Sequence, residues 1–310
     1  MRTVGFSVYG GPEVVEVQHV DAPDPAPGQV RIAVEAAALN PVDAAMREGI
    51  LHGFGFHGDP PLTLGWDVAG AVDAVGAGVW RLSPGDRVVG ISTHMFDGPK
   101  THSELVVLNE TAVAAIPAEL EAGAGSTLPL AGLTAIQALD MLALRRGQSV
   151  LISGAGGAVG TLALQLARMR GLRVIGAGAA RHGALVLDLG AHEFVETDDL
   201  ACNVRDLVPG GVDGAIDAGV VGQPSLDAVV EGGTHISLVV LDRPAPLRGV
   251  SSESLAVRPD WEQLTVLSSL AATGSLRTGD VRWFSFDEAA EAHRVLAGGG
   301  LGGARLVLRP

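Results

Sequence analysis

The chain has 310 residues, 47% of them hydrophobic, and a formal net charge of −14 at pH 7. This acidity argues against nucleic acid or an anionic membrane as a partner, and no apolar run in the sequence is long enough to cross a bilayer. The single cysteine, Cys202, excludes an internal disulfide framework and a cysteine-rich zinc cluster. We therefore expect a soluble, cytoplasmic protein of about two domains.

The first 120 residues have the pattern of a mostly β domain. Residues 1–37 alternate apolar and polar side chains and are interrupted by glycine- and proline-rich turns at 10–12 and 22–28. This alternation predicts short antiparallel strands. Further strands are predicted over Asp67–Val75, 86–89 and 103–107.

From about residue 121 the pattern changes to alternating helices and strands. Residues 122–144 predict one long helix. After it, the predicted strands are 150–152, 172–176, 193–195, 214–217 and 234–240, with helices at 161–168 and 184–189. This alternation indicates a parallel, doubly wound sheet. Residues 243–254 are predicted to be a loop, followed by helices at 260–273 and 287–296, each with Asp at or near its start, and a last strand at 305–308.

A glycine-rich loop joins the first strand of this second half to its helix. Gly154 permits a tight turn, Gly156 and Gly157 let backbone N–H groups approach a diphosphate, and Gly160 lets the helix lie close to the strand. The last glycine comes one residue later than in the common G-x-G-x-x-G pattern. The order strand, glycine turn, helix nevertheless predicts nucleotide binding. The predicted loop residues are Gly154, Ala155, Gly156, Gly157, Ala158, Val159 and Gly160.

The end of the following strand indicates which dinucleotide binds. An acidic residue there would bind the 2′-hydroxyl of the ribose of NAD, but residues 176–182 contain neither Asp nor Glu. Arg181 is placed instead to contact a 2′-phosphate, with the alternative that it is a solvated residue at a helix start. We therefore predict NADP(H) as the cofactor.

Several stretches match one family in collinear order. They are YGGPE at 9–13, NPVD at 40–43, GWDVAG at 65–70, PGDRV at 84–88, LAGLTAIQAL at 130–139, the glycine loop, LGA at 189–191 and DEAAEAHR at 287–294. On these stretches the chain resembles the medium-chain dehydrogenase/reductase superfamily, in its zinc-free quinone oxidoreductase-like branch. The resemblance implies an α/β protein. A GroES-like β domain would cover residues 1–120, completed by 260–310, and a Rossmann domain would cover 121–259.

The same resemblance implies where the ligands bind. The cofactor would lie between the two domains, with Thr134 near the nicotinamide. The nucleotide would be lined at the strand ends by Ala218, Ser237 and Val239. A small-molecule substrate and a homodimer are also implied.

Zinc-dependent alcohol dehydrogenases of this fold use Cys, His and carboxylate ligands, and this chain departs from that set. Ala38-Leu39-Asn40 stands where the first Cys is found, and Gly65-Trp66-Asp67 replaces Gly-His-Glu. His52, His57, His94 and His102 lack the spacing of zinc ligands. We therefore expect no metal.

Without a Lewis acid, the hydride acceptor must already be electron-poor, such as a quinone or an α,β-unsaturated carbonyl. Asn40 is the first candidate donor to the substrate oxygen, with a turn-stabilising role before proline as the alternative. Asp43 is the second catalytic candidate, with the alternatives that it fixes this turn or pairs with Arg47 four residues later.

Residues 50–61 predict a pocket wall. The predicted substrate-binding residues are Arg47, His52, Phe54, Phe56 and Trp66, the aromatic ones by stacking on a flat ring. His52 or His57 can donate a proton near neutral pH. Packing in the domain core is the alternative for each aromatic residue. A tyrosine often found after the NPVD motif in this family is absent, and Tyr9 is the chain's single tyrosine.

These observations predict an NADPH-dependent, zinc-independent reductase of quinones or enones. Two alternatives stay open. One is a biosynthetic tailoring enzyme that performs enoyl reduction or a non-redox cyclisation. The other is a nucleotide-binding protein without turnover.

Overall fold

The computed structural model describes residues 1–54, 58–93, 100–239, 243–299 and 301–310. Phe56, His57 and His94 lie outside these ranges, and the side chain of Phe54 is not described either. The chain divides into two compact units. Unit 1 consists of Met1–Leu130 and Arg258–Pro310, and unit 2 of Ala131–Val257. Within the described ranges, none of the helices has the length and apolar character needed to span a membrane.

The strands and helices of the described residues are numbered here in chain order. The strands are β1 (Arg2–Phe6), β2 (Val15–His19), β3 (Gln29–Ala38), β4 (Leu62–Thr63), β5 (Asp67–Val75), β6 (Arg87–Ile91), β7 (Leu105–Asn109), β8 (Val113–Ala115), β9 (Ser149–Ser153), β10 (Arg173–Gly178), β11 (Glu193–Glu196), β12 (Val212–Asp217), β13 (Val229–Ser237), β14 (Ser251–Ser254), β15 (Val281–Ser285) and β16 (Arg305–Arg309). The α-helices are α1 (Pro41–Arg47), α2 (Ala122–Ser126), α3 (Pro129–Leu142), α4 (Ala158–Met169), α5 (Gly183–Asp188), α6 (Leu200–Leu207), α7 (Gln223–Asp227), α8 (Trp261–Ala272) and α9 (Ala289–Gly298).

The described residues of unit 1 form two sheets, and the long strand β3 is central to the larger one. The smaller sheet has the order β2-β1-β4, and the larger has β15-β16-β3-β5-β6-β8, with β7 also paired to β3. One end of β3 pairs with β7 and the other end, at Ala37 and Ala38, pairs with β16. Because β16 comes from the C-terminus, the last residues of the chain lie beside the turn that follows β3.

In β3, buried and more exposed side chains alternate as the sequence pattern predicts. Val30 and Ile32 are fully buried and Val34 is nearly so, while the residues between them are more exposed. Each such side chain stabilises the fold by about 1.5–3 kcal/mol on burial. The predicted strand over Asp67–Val75 is confirmed as β5.

Unit 2 has a single parallel sheet among its described residues, with the order β11-β10-β9-β12-β13-β14. The chain starts in the middle at β9, runs outward through β10 and β11, and then crosses to β12 on the other side. The direction of winding therefore reverses between β9 and β12. Parallel doubly wound sheets bind ligands at the carboxyl ends of the strands at such a reversal. The predicted mixed α/β architecture, with a β-rich first part and a parallel, doubly wound sheet in the second, is confirmed.

Three predicted elements were wrong in detail. The long helix over 122–144 is two helices, because Pro129 cannot donate the backbone hydrogen bond that would continue α2. The predicted loop at 243–254 ends in a strand, β14, which adds a parallel edge to β13. The helix predicted from 287 starts as α9 at Ala289, after a capping box between Ser285 and Glu288.

Candidate functional site

The glycine loop of unit 2 lies at the carboxyl edge of the sheet, between β9 and α4. Gly154 has a φ of +63°, a conformation that favours glycine. Gly157 occupies the N-cap of α4 in extended conformation, and no side chain among the described residues caps this helix. The first-turn N–H groups of a helix have no partner within the helix. This turn therefore presents free backbone donors and the positive end of the helix dipole.

Neighbouring backbone leaves no room for side chains at two of the loop positions. A β-carbon at Gly160 would collide with the carbonyl oxygen of Gly154, and one at Gly154 would lie 2.7 Å from the backbone nitrogen of Gly219. At Gly157, by contrast, the nearest atom would be 3.2 Å away. The start of α4 and the turn after β12 thus pack directly on the loop.

The strand register brings the other predicted cofactor residues to the same edge. Ser153 is aligned with Ala177 on one side and Asp217 on the other, and Asp217 is aligned with Ser237. Consequently the residues after these strands share one edge. They are Ala218 after β12, Val239 after β13 and Arg181 in the turn after β10. Thr134 is a half-buried residue of α3.

Two buried side chains that the sequence analysis did not select fix the shape of this edge. Asp217 is 1% exposed and accepts the hydroxyl hydrogen of Ser153. Its carboxylate also accepts backbone hydrogen bonds from Val221 (3.0 Å) and Gly222 (2.7 Å). An acidic residue at the end of a buried strand, followed by glycine, was the available signal. Such a carboxylate stabilises a turn by pairing backbone donors.

His182 is a further residue of this edge that sequence reasoning missed. A β-carbon at Gly156 would lie 2.5 Å from Cγ of the His182 imidazole, so the ring covers this glycine. Partial burial and the neighbouring Arg181 lower the pKa of His182.

In unit 1, the polar side chains around the NPVD turn form a buried network. Asn40 is 3% exposed, and its amide nitrogen donates to a carboxylate oxygen of Asp67 at 2.8 Å and to the carbonyl of Ala38 at 3.4 Å. Its amide oxygen accepts from Arg305 at 3.3 Å. The second oxygen of Asp67 accepts from the backbone nitrogen of Leu130 at 2.6 Å. Both amide hydrogens of Asn40 thus already have acceptors within the protein. This favours a positioning role over the predicted role as hydrogen-bond donor to the substrate oxygen.

Asp43 fixes the start of α1. One of its oxygens accepts from the backbone nitrogen of Asn40 at 2.8 Å, completing a capping box, and the other from that of Gly65 at 2.9 Å. The residue is fully buried, and burial raises its pKa. The arrangement corresponds to the turn-fixing alternative for Asp43.

Arg47, predicted to bind substrate, has no exposed side-chain surface. Its guanidinium donates to the carbonyl of Gly10 at 3.0 Å and to Nδ1 of His293 at 3.0 Å, and it pairs with Glu48. Burial lowers the pKa of His293 to about 3, so this ring is neutral and accepts through Nδ1. These contacts join α1 to α9, which favours a structural role for Arg47.

Asp67 lies at the centre of the network, and its pKa is raised. Burial raises its pKa to about 7, although the hydrogen bonds from Asn40 and Leu130 and the charge of Arg305 act in the opposite direction. A buried carboxylate beside a cation is a costly arrangement that depends on all its partners. In the sequence, Asp67 stands out only as part of the GWDVAG stretch, and nothing there places position 305 beside it.

Trp66 has a polar atom without a partner. It is 5% exposed, and its indole Nε1 has no hydrogen-bond partner among the described residues. The ammonium of Lys100 lies 4.5 Å from the ring centroid. A buried unpaired N–H costs about 1–3 kcal/mol. Trp66 is therefore both packed in the interior and equipped with a free donor.

His52 and Tyr9 form a pair beside the described end of the predicted pocket wall. The rings meet edge to face at 4.8 Å between centroids, with His52 Nε2 3.0 Å from the Tyr9 hydroxyl. The hydroxyl donates to the carbonyl of Gly58, so His52 donates to Tyr9. The chain's one tyrosine thus contacts the segment predicted to line the pocket.

The residues in the zinc-ligand places do not fit Zn²⁺. Trp66 offers only a donor N–H, and the side chain of Asn40 already uses its amide nitrogen and oxygen in hydrogen bonds. Asp67 lies beside the Arg305 cation and has a raised pKa, which disfavours the carboxylate form that binds a metal. In the part of the chain that the structure describes, no cluster of three or more His, Cys, Asp or Glu is gathered to hold a metal ion.

Comparison with known proteins supplies the family. The chain matches the family model of the alcohol dehydrogenase GroES-like domain over residues 26–124 and that of the zinc-binding dehydrogenases over residues 158–275. It is 38% identical over 198 residues to a quinone oxidoreductase of Rattus norvegicus, a match that covers 62% of this chain and 57% of the rat protein.

Other relatives match along more of their length. A 2-methylene-furan-3-one reductase of Solanum lycopersicum is 32% identical, with all of this chain and 79% of the relative covered. The solved structure of the quinone oxidoreductase from Coxiella burnetii superposes with a TM-score of 0.87 at 29% identity, covering 100% of this chain and 99% of that one. The chain therefore belongs to the quinone oxidoreductase-like branch of the medium-chain dehydrogenase/reductase superfamily.

Proposed function

We propose that this protein is an NADPH-dependent oxidoreductase that works without zinc and reduces a quinone or an α,β-unsaturated carbonyl. The observation that carries the proposal is the glycine loop at the winding reversal, which leads into the uncapped first turn of α4. The tomato relative, which matches along the whole chain, is named for reduction of a methylene-furanone, a conjugated ketone. This name supports an enone acceptor.

The cofactor is held mainly by backbone atoms of unit 2. The N–H groups of Gly156 and of residues 158–160 bind the diphosphate, while that of Gly157 donates to the carbonyl of Gly154 at 2.9 Å. Arg181 binds the 2′-phosphate through charge-assisted hydrogen bonds. Ala218, Ser237 and Val239 line the nucleotide at the strand ends, and Thr134 lies near the nicotinamide. When bound, the reduced nicotinamide supplies a hydride for an electron-poor carbon.

The substrate oxygen is bound by the indole of Trp66. A conjugated carbonyl gains negative charge on its oxygen as it is reduced, and a donor in a dry site lowers that barrier. Trp66 has the unpaired N–H for this role, and the nearby Lys100 ammonium adds positive charge. Asn40 and Asp43 act by holding the turn after β3 in place.

His52 carries the proton that completes the reduction. Its Nε2 is hydrogen-bonded to the Tyr9 hydroxyl, which orients the ring on the segment 50–54. An imidazole ring can act as a general acid by donating a proton from a ring nitrogen. The predicted stacking residues Phe54 and Phe56 belong to the same segment of sequence and stay part of the substrate-site proposal.

The test is a turnover assay with matched variants. Purified protein is mixed with NADPH and a panel of quinones, cyclic enones and acyclic enones, and the loss of the reduced-nicotinamide absorbance band is followed. We expect turnover with at least one acceptor class and no change after treatment with a zinc chelator. Trp66→Phe keeps an aromatic ring but removes the N–H, and it should lower kcat by about tenfold or more.

Trp80→Phe is the matched control, since Trp80 is 80% exposed and should leave kcat unchanged. Binding of NADPH without oxidation by any acceptor would favour the non-catalytic alternative. Turnover restricted to polycyclic or acyl substrates would favour the biosynthetic alternative. Activity that is lost on chelation and restored by zinc would overturn the metal-free proposal.

We also propose a homodimer formed through an edge strand of the unit 2 sheet. β14 is at one edge of the described sheet, and an edge strand offers unpaired backbone groups to a second copy. Light scattering on the eluting protein measures the mass directly, and a monomer would contradict the proposal.

A further inference from the structure

His182 is positioned by contact with the glycine loop. The register of β9 and β10 aligns Ser153 with Ala177, and the backbone nitrogen of Ala155 donates to the carbonyl of Ala177 at 2.9 Å. These contacts hold the turn after β10 beside the loop after β9. A β-carbon at Gly156 would come within 2.6 Å of Nδ1 of His182, so the imidazole lies over this glycine.

Among the described residues, the charged groups on the elements next to His182 include Arg181, Glu196 and Asp217. Arg181 precedes it on the same turn and is exposed. On the neighbouring strand β11, Glu196 is aligned with Gly178 and is also exposed. On the other side of the loop, Asp217 uses its carboxylate for Ser153 and two backbone donors. Arg181 is therefore the one residue whose charge shifts the His182 titration in the described structure, and it disfavours imidazolium.

We infer that His182 is a second specificity residue for a phosphorylated ribose, and that it takes up a proton from solvent when a phosphate monoester binds beside Arg181. The inference rests on the proposed use of NADPH. A nearby dianion favours the charged form of an imidazole, and imidazolium donates from both ring nitrogens. No covalent bond is made or broken in this step. An unphosphorylated ribose brings no such charge and causes no proton uptake.

The consequence is a pH-dependent preference between two dinucleotides. The ratio of NADPH affinity to NADH affinity should rise as the pH falls from about 8 to about 6, the range in which histidine changes charge. The phosphate itself, with a pKa of about 6, binds protons in the same range and opposes this trend at its lower end. Comparison of variants at position 182 separates the two, because the phosphate is the same in all of them.

The experiment is calorimetric titration of NADPH and of NADH into the whole protein, in two buffers of different ionisation enthalpy at about pH 7. The difference in heat between the buffers gives the number of protons taken up. We expect net proton uptake with NADPH in the wild type, none with NADH, and less with NADPH in His182→Asn. At about pH 6 the NADPH preference of His182→Asn should be about tenfold lower than that of the wild type, the effect of one charge-assisted hydrogen bond.

Two further variants keep the result interpretable. His182→Lys carries a permanent charge and should retain the preference for NADPH without the extra proton uptake, a result that a purely structural role would not produce. His19→Asn changes an exposed histidine of β2 and should behave as the wild type. Thermal unfolding of each variant verifies that it is folded.

The failures of the two proposals are distinguishable. If NADPH binds more tightly than NADH but proton uptake is the same in the wild type and in His182→Asn, the role of His182 is overturned and the use of NADPH stands. If NADH binds as tightly as NADPH in the wild type at every pH, or if neither binds, both proposals are overturned.

Discussion

Backbone groups form the polar site of unit 2, whereas side chains form the polar site of unit 1. The edge of the unit 2 sheet presents backbone N–H groups, and its glycines are there because neighbouring backbone leaves no space for a side chain at Gly154 and Gly160. The centre of unit 1 is a network of buried side chains, in which Asn40, Asp67 and Arg305 satisfy one another. A backbone site is specified by a few consecutive residues. A side-chain network depends on partners that are distant in the sequence and fails when any one of them is removed.

The largest effect is expected where a carboxylate is brought to the backbone site. Gly157→Asp places a negative charge at the N-cap of α4, where it competes with the diphosphate for the same N–H groups. Like charges at close range cost several kcal/mol, so NADPH affinity should fall by at least about 100-fold. Asp is a favoured N-cap residue, so the melting temperature should stay the same or rise.

Gly157→Ala is the control for this change. A β-carbon at position 157 would lie 3.2 Å from the carbonyl oxygen of Gly154, a tight contact that requires a small shift of the loop. Alanine brings no charge, so its loss of affinity should be much smaller than that of Asp. Calorimetry measures the affinity and thermal unfolding the stability. Equal losses in the two variants would mean that shape and not charge is the cause, which would contradict the diphosphate assignment.

The next largest effect is expected from the side-chain network. Asp67→Ala removes the carboxylate that accepts from the Asn40 amide and the Leu130 N–H, and it takes away the negative charge near Arg305. It should lower the free energy of unfolding by about 3 kcal/mol. Asp73→Ala lies on the same strand but removes an acid that is 38% exposed and paired with Arg31. That control should cost at most about 1 kcal/mol. Urea denaturation of both variants makes the comparison, and equal costs would contradict the network.

A smaller and more selective effect is expected for the predicted 2′-phosphate ligand. Arg181→Ala should weaken NADPH binding by about tenfold to 100-fold, the loss of a charge-assisted contact, and leave NADH binding nearly unchanged. Arg294→Ala removes an exposed arginine of α9 and should change neither affinity. If Arg181→Ala weakened both dinucleotides equally, the assignment of Arg181 to the 2′-phosphate would fail.

The smallest effect is expected in the pH dependence of the free energy of unfolding. Burial raises the pKa of Asp67 from 3.8 to about 7, so the folded protein binds an extra proton between these values. The contribution of Asp67 to stability is therefore complete below pH 3.8 and is lost as the pH rises to about 7. Within that window its slope is a loss of about 1.4 kcal/mol per pH unit.

Asp67→Asn removes this titration and nearly keeps the shape of the side chain. Other groups also contribute to the pH dependence, among them Asp43, whose pKa burial raises, so the informative quantity is the difference in stability between wild type and variant. The stability of Asp67→Asn relative to the wild type should improve as the pH rises from about 4 to about 7. Urea midpoints at several pH values measure it, and a difference that does not change with pH would contradict a raised pKa.

Local sequence was sufficient for much of the fold. The alternation of Val30, Ile32 and Val34 predicted an antiparallel strand, and the alternation of strands and helices after residue 121 predicted a parallel, doubly wound sheet. These signals are local because backbone conformation and burial periodicity are set by neighbouring residues. Elements without a strong local pattern were missed, such as β14, whose serine-rich sequence forms a strand because β13 offers it an edge.

The roles of individual polar residues were decided by the tertiary structure. The sequence indicated Asn40 as a free donor and Arg47 as a substrate ligand, but partners that are far away in the chain occupy them: Asp67 and Arg305 for Asn40, and His293 for Arg47. The sequence by itself determined where backbone donors are left unpaired, since that depends on glycine and on the start of a helix. Only the tertiary structure decided which polar side chains lack a hydrogen-bond partner, because those partners come from segments that are distant in the sequence and meet in the core.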